Sequence, residues 1–140
     1  MNFTRSQVMH VLSGTFGHSA FREGQTEVIR SILNGGPAIA VLPTGAGKSL
    51  CYQLPALLFG GTTLVISPLI ALMRDQVRAL SEKGVPCASL DSAQTPDERA
   101  WAEQAFVAGK LQLLYVSPER LGSERFLSLL NRAEVRVPFV

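Results

Sequence analysis

The stretch Pro43-Thr44-Gly45-Ala46-Gly47-Lys48-Ser49 has the residue types that hold a phosphate chain. Small residues let backbone N–H groups close around anionic oxygens. Lys48 would reach the β- and γ-phosphates of a nucleotide, and the Ser49 hydroxyl would ligate the accompanying Mg²⁺. Such a loop works between a strand and a helix, because the helix N-terminus adds partial positive charge. The flanks fit. Ala38-Ile39-Ala40-Val41-Leu42 is a continuous apolar run, as expected for a strand buried on both faces, and a helix should follow from Gly47 or Lys48. The loop departs from the usual pattern only in carrying Leu42 where a glycine is customary. A glycine-rich turn with a surface lysine is the alternative, and it explains neither flank.

Other chemistry is sparse. The two cysteines, Cys51 and Cys87, form no CxxC pair, and no histidine lies at ligand spacing from either. They read as small buried hydrophobes in a reducing compartment. The 140 residues suffice for one domain with a core, and a hydrophobic share of 46% against 17% charged excludes a disordered chain. A formal net charge of +2 is too mild to argue for nucleic acid by itself, so any such contact must come from local placement of Arg and Lys. No signal peptide and no apolar run of membrane-spanning length is visible, which predicts a soluble, cytoplasmic protein, nucleoid-associated in a prokaryote.

The elements that would position the loop can be read from caps and periodicity. Thr4 with Gln7 makes a capping box for a first helix, with Val8, Val11 and Leu12 as its apolar stripe. A second helix should run from near Arg22, with Val28, Ile29, Ile32 and Leu33 on one face, and end at Gly35-Gly36. Pro55 should kink or shorten the helix after the loop. Thr63–Ile66, Cys87–Leu90, Leu113–Val116 and Val137–Val140 read as strands. Between them lie a helix with Leu69, Leu72, Met73, Val77 and Leu80 on one face, a helix opened by Thr95-Pro96-Asp97-Glu98 with Trp101, Ala105 and Phe106 inward, and a helix capped by Ser123 with Phe126, Leu127 and Leu130 inward. The alternation predicts an α/β fold with a parallel sheet flanked by helices. Ligands then belong at the carboxyl ends of the strands, on the loops after Leu42, Ile66, Leu90 and Val116.

Phe16-Gly17-His18-Ser19-Ala20-Phe21-Arg22-Glu23-Gly24-Gln25 resembles the N-terminal nucleotide motif of RecQ helicases, and Lys48-Ser49-Leu50-Cys51-Tyr52-Gln53-Leu54-Pro55-Ala56 looks like the same family. The resemblance covers nearly the whole chain from Phe16 onward. Superfamily 2 helicases are relaxed at the position of Leu42. The resemblance implies a RecA-like P-loop domain, with residues 1–36 as a helical segment carrying the adenine motif and 37–140 as part of the first helicase domain. It places ATP against His18, Arg22, Gln25, Thr44, Gly45, Ala46, Gly47, Lys48 and Ser49, with Lys48 and Ser49 as catalytic residues and Ser49 on Mg²⁺. A glutamine amide both donates and accepts, so Gln25 can read the adenine edge. His18 stands where the family often has a larger aromatic residue.

Ser67-Pro68-Leu69-Ile70-Ala71-Leu72-Met73-Arg74-Asp75-Gln76-Val77 resembles the first DNA-contacting motif of that family. It implies Ser67, Pro68 and Arg74 as nucleic-acid contacts, whereas Arg78, one turn on, reads as a solvated side chain. Leu90-Asp91-Ser92-Ala93-Gln94-Thr95 resembles the next motif, with Asp91 where Asn is frequent; Ser92 is the candidate contact, and a plain strand-to-helix turn is the alternative. Tyr115-Val116-Ser117-Pro118-Glu119-Arg120-Leu121 resembles a further one, with Ser117 and Arg120 facing DNA or Arg120 bracing the loop through Glu119. The implied protein is an ATP-dependent 3′-to-5′ DNA helicase of repair and recombination, acting on single-stranded and partially duplex DNA. The family's Asp-Glu-Ala-His motif would follow Val140, so the sheet is expected to be incomplete at the C-terminus and the isolated chain inactive. A non-catalytic nucleotide-binding module and an RNA remodeller are the competing readings.

Overall fold

Thr4 opens the first helix in the way its sequence dictates. Its hydroxyl accepts from the Gln7 N–H at 3.1 Å, and Gln7 Oε1 accepts from the Thr4 N–H at 2.7 Å. The resulting helix α1 spans Arg5–Gly14. Helix α2 covers Gln25–Leu33, three residues later than the pattern near Arg22 suggests. Gly24 before it has φ +86°, a left-handed conformation that suits glycine and keeps Arg22–Gly24 as a turn. Helix α3 spans Leu50–Leu58 and continues through Pro55. The proline removes one N–H from the helix without ending it. These helices belong to a compact unit, Met1–Leu58, in which α1 and α2 both pack on α3 and Leu12, Phe16, Ile29, Leu50 and Leu54 are buried. The computed structural model describes residues 3–36, 38–41 and 47–133.

The apolar run before the loop does not behave as expected. Residues 38–41 form no strand, and Ile39 and Val41 are 98% and 93% exposed. A strand needs a neighbour's donors and acceptors as well as apolar side chains, and the three described strands pair only with one another. Leu42 and the expected strand Val137–Val140 lie outside the described residues.

The second unit, Phe59–Val140, is built on that sheet. Strands β1 (Thr63–Ile66), β2 (Cys87–Leu90) and β3 (Leu113–Val116) match the sequence boundaries. They run parallel in the order β1-β3-β2, with Leu64 and Ala88 both in register with Leu114. Helices α4 (Ile70–Glu82), α5 (Pro96–Val107), α6 (Pro118–Leu121) and α7 (Glu124–Arg132) complete it. Alternate strand residues Leu64, Ala88, Leu90, Leu114 and Val116 share a core with Phe106 of α5 and Phe126 of α7. Those two rings stack at 6.2 Å between centroids. On the other face, the Cys87 thiol donates to the Val77 carbonyl of α4. Thus β2 has α4 on one side and α5 on the other, as a parallel sheet requires.

Thr95 caps α5 with a complete capping box, and Ser123 caps α7 through the Phe126 N–H at 3.2 Å. The inward faces are only partly as read. Met73 and Leu80 are buried on α4, but Leu69 and Leu72 are exposed; Trp101 and Leu127 are also exposed, while Leu129 is buried. Leu72, Trp101 and Leu127 each sit next to a buried residue, Met73, Ala102 and Phe126, and the packing partner decides which side turns in, whereas Leu69 stands before the first turn of α4. Cys51 and Cys87 are both buried and unbridged. Burial pushes both thiols up, which suits inert core residues.

Candidate nucleotide and nucleic-acid sites

In the first unit, Gln25 is the residue around which the candidate nucleotide site closes. It opens α2 and is buried. Its Oε1 accepts from the Arg22 N–H at 2.7 Å, so the turn at Arg22–Gly24 fixes one end of the amide. Its Nε2 donates to the Gly47 carbonyl at 3.0 Å, across 22 positions of sequence. Gly47 has φ +76°, and a Cβ placed there would fall 2.5 Å from Gln25 Nε2. Glycine at this position therefore answers both to the backbone turn and to the close approach of the amide.

Lys48 and Ser49 form the turn into α3, where their carbonyls accept from the Cys51 and Gln53 N–H groups at 3.1 and 2.9 Å. Lys48 is exposed. Thr44, Gly45 and Ala46 lie outside the described residues. A cavity of about 160 Å³ is lined by Phe16, His18, Ala20, Arg22, Gln25, Gly47, Ser49, Leu50 and Gln53. This is below the roughly 300–1,000 Å³ of whole small-molecule sites; it has the size of one flat heterocycle. Six predicted residues or their backbones thus surround one space or adjoin it: His18, Arg22, Gln25, Gly47, Lys48 and Ser49. Gln53, mostly buried, was not singled out by sequence; it lies one turn beyond Ser49, and that spacing on the following helix is the signal that could have found it.

In the second unit, the loops after the three strands come together because the strands are parallel. The Ser67 N–H donates to the Val116 carbonyl, and the Ser117 N–H to the Leu90 carbonyl, each at 3.1 Å. Ser67, Asp91 and Ser117 therefore stand side by side at the carboxyl edge. The Ser67 hydroxyl accepts from the Leu69 N–H at 3.3 Å just ahead of α4, whose first N–H groups face the loop. Pro68 and Ser92 are exposed, and Ser117 is buried.

Arg74 reaches back from α4 to Asp91, Nη2 to Oδ1, at 3.4 Å. Sequence reading marked Ser92 and passed over Asp91, because a contact over 17 positions leaves no periodic trace. Arg78 instead meets Asp75 at 3.9 Å, both well exposed. Arg120 forms no ion pair with Glu119 among the described residues; it lies near Glu103, which Arg125 holds bidentately at 2.6 and 2.8 Å. That bonding keeps the Glu103 carboxyl below the usual range against the opposing effect of burial, with attraction from Arg125, Arg99 and Arg120 adding to it. A larger cleft of about 540 Å³ between α5 and α7 holds none of the predicted site residues. No group of metal-ligating side chains and no helix long and apolar enough to cross a membrane occurs among the described residues.

Residues 22–137 match the family described as DEAD/DEAH box helicase. The chain belongs to the DEAD/DEAH box helicase family. Among this helicase chain's relatives, the ATP-dependent DNA helicase RecQ of Haemophilus influenzae is 48% identical over 127 residues, covering 91% of this chain and 20% of the relative. RecQ of Bacillus subtilis is 45% identical over 126 residues, 89% of this chain and 21% of the relative. The ATP-dependent helicase wrn-1 of Caenorhabditis elegans is 42% identical over 125 residues, 89% and 12%. The chain spans about a fifth of the length of the bacterial relatives. Among solved structures, a hypothetical ATP-dependent RNA helicase from Sulfolobus tokodaii superimposes with a TM-score of 0.74 at 18% identity, over 97% of this chain and 41% of that one. The DUF1998 helicase MrfA, bound to DNA and AMPPNP, gives 0.69 at 21% identity, over 95% and 20%. At such identity these two similarities establish the RecA-like helicase fold alone. The RecQ resemblance carried by the motifs at Phe16–Gln25 and Lys48–Ala56 is therefore matched by relatives along most of the helicase chain.

Proposed function

We propose that the protein is an ATP-driven, 3′-to-5′ DNA helicase of the RecQ type, and that this chain carries its adenine and phosphate contacts together with part of its DNA track. The observation that carries the reading is the Gln25 amide, buried and fixed between the Arg22 N–H and the Gly47 carbonyl at the edge of a base-sized cavity. A glutamine amide both donates and accepts, which is the chemistry that reads an adenine edge. His18 and Phe16 supply flat side chains to the same cavity. The turn at Gly47–Ser49, with Thr44, Gly45 and Ala46 before it, would hold the phosphates. Lys48 would neutralise charge on the outer ones, and Ser49 would ligate Mg²⁺, which offsets the charge that develops on the transferred phosphoryl group.

On the sheet edge, Ser67, Pro68 and Ser92 would meet the backbone of a single strand, with Arg74 and Arg120 beside them, whereas Ser117 is buried and would not reach it. Such contacts grip phosphates with little sequence preference. The arrangement favours single-stranded and partially duplex DNA as the partner.

Lys48→Ala in the intact protein tests the reading. DNA-stimulated ATP hydrolysis should fall by about 10²–10³-fold, as for loss of a group that stabilises transition-state charge. Unchanged turnover would remove the phosphate loop from the mechanism. Running the wild-type assay with DNA and with RNA as stimulator separates a DNA motor from an RNA remodeller.

A further inference from the structure

Asp91 is a fully buried carboxylate at the end of β2, and the nucleotide site makes no use of it. Its Oδ1 accepts from the Ala93 N–H at 2.8 Å and from Arg74 Nη2 at 3.4 Å. The loop around it is tied down further: the Asp91 N–H donates to Gln94 Oε1 at 3.1 Å, and Gln94 Nε2 donates to the Ser89 carbonyl. Asp91 Oδ2, Arg74 Nε and the neighbouring Ser117 hydroxyl are buried and have no partner among the described residues. Arg74 itself is 39% exposed. One end of its guanidinium is therefore committed to Asp91 while the side chain still reaches the surface. Asp91 is the anion bonded to it; Glu98 of α5 is the other carboxylate near enough to interact, and Asp75 on the same helix is occupied with Arg78.

We infer that Asp91 is a positioning residue that neutralises Arg74 and ties the first DNA-facing loop to the second, so that the two together present almost no net charge to a bound strand. The inference rests on the DNA reading given above. Its physical basis is simple. A protein gains salt-sensitive affinity for nucleic acid in proportion to the phosphates it neutralises. A guanidinium already paired to a carboxylate in a low-dielectric pocket has little charge left to offer. Arg74 then orients the strand, and its hold on α4 against the β2 loop matters more than its charge.

Two variants of the intact protein decide the matter through the salt dependence of affinity for an oligothymidylate strand, measured by fluorescence anisotropy. Asp91→Asn keeps the size of the side chain and an acceptor for the Ala93 N–H while removing the charge. It should steepen the slope of log affinity against log salt by about 0.7, the value for one further phosphate on a single strand. Between about 50 and 200 mM salt its affinity should then fall about 2.6-fold more than that of the wild type. The double variant Asp91→Asn with Arg74→Gln leaves no buried unpaired charge, and it should return to the wild-type slope. If Arg74 instead acts as an ordinary phosphate contact, Asp91→Asn leaves the slope unchanged and the double variant flattens it by about 0.7; either result overturns the inference. Should Asp91→Asn not fold, the double variant alone separates the two cases. Failure of the wild type to bind the strand in a salt-dependent way would instead remove the DNA reading on which the inference stands.

Discussion

In residues 1–58 a buried neutral amide ties two segments together; in residues 59–133 a buried carboxylate paired with an arginine does so. Gln25 is held by two backbone groups at 2.7 and 3.0 Å. Asp91 is held by one backbone N–H and one guanidinium at the longer 3.4 Å. The difference follows the task proposed for each. Telling one base from another is a matter of donor and acceptor placement, which a rigid neutral group does well. Holding a polyanion without sequence preference is a matter of how much charge is presented, which a carboxylate paired with an arginine limits. Core packing differs as well. The first unit rests on three helices, while the second has a three-stranded sheet with helices on both faces.

The largest expected effect lies in the second unit. Phe106 is fully buried and stacks on Phe126. Phe106→Ala should cost about 3–5 kcal/mol of stability, read as a lower denaturant midpoint. A loss below about 1 kcal/mol would mean that the sheet unit does not depend on this cluster. Next comes Gly47→Ala in the first unit. The added Cβ meets Gln25 Nε2 and the φ of +76° disfavours it. Displacing this part-buried hydrogen bond costs about 1–3 kcal/mol, so ATP should bind about 5- to 150-fold more weakly by calorimetry. Equal affinity would show that the amide and the loop are independent.

The smallest effect concerns Glu103. Its folded carboxyl titrates below the ordinary value of 4.5, chiefly because Arg125 bonds to it. The pair therefore stabilises the fold above that value, and its contribution fades as pH falls through the folded value. Arg125 is well exposed, so solvent screens much of the attraction. Glu103→Gln should lower the melting temperature slightly at pH 7, and the gap to wild type should close as the medium is acidified below 4.5. A gap that widens in acid would contradict this assignment.

Legibility differed between elements for reasons that particular residues make plain. The boundaries of β1, β2 and β3 were readable because each is a short run bounded by turn residues and too short for a helix, and each has a neighbouring strand to pair with. The capping boxes at Thr4 and Thr95 were readable because both partners lie within one turn. Trp101 and Leu127 were misjudged as inward because apolar character does not say which side of a helix meets a neighbour. The run at 38–41 was misjudged because a strand is a property of two chains of backbone, and its own residues describe only one. Among the candidate site residues, Gln25, Lys48 and Ser49 were singled out from motif context, while the bond from Gln25 to Gly47 and that from Arg74 to Asp91 left no trace in the sequence.

The sequence by itself determined whatever depends on neighbours a few residues apart: helix starts, strand limits, and the order of motifs that marks a DEAD/DEAH box helicase. Tertiary structure alone decided which faces are buried, which carboxylate each arginine meets, and that a glutamine on α2 closes on a glycine before α3. These last are distances between segments separated by tens of residues. Packing sets them, because only after the helices and the sheet are docked do such atoms come within the roughly 3 Å at which hydrogen bonds form.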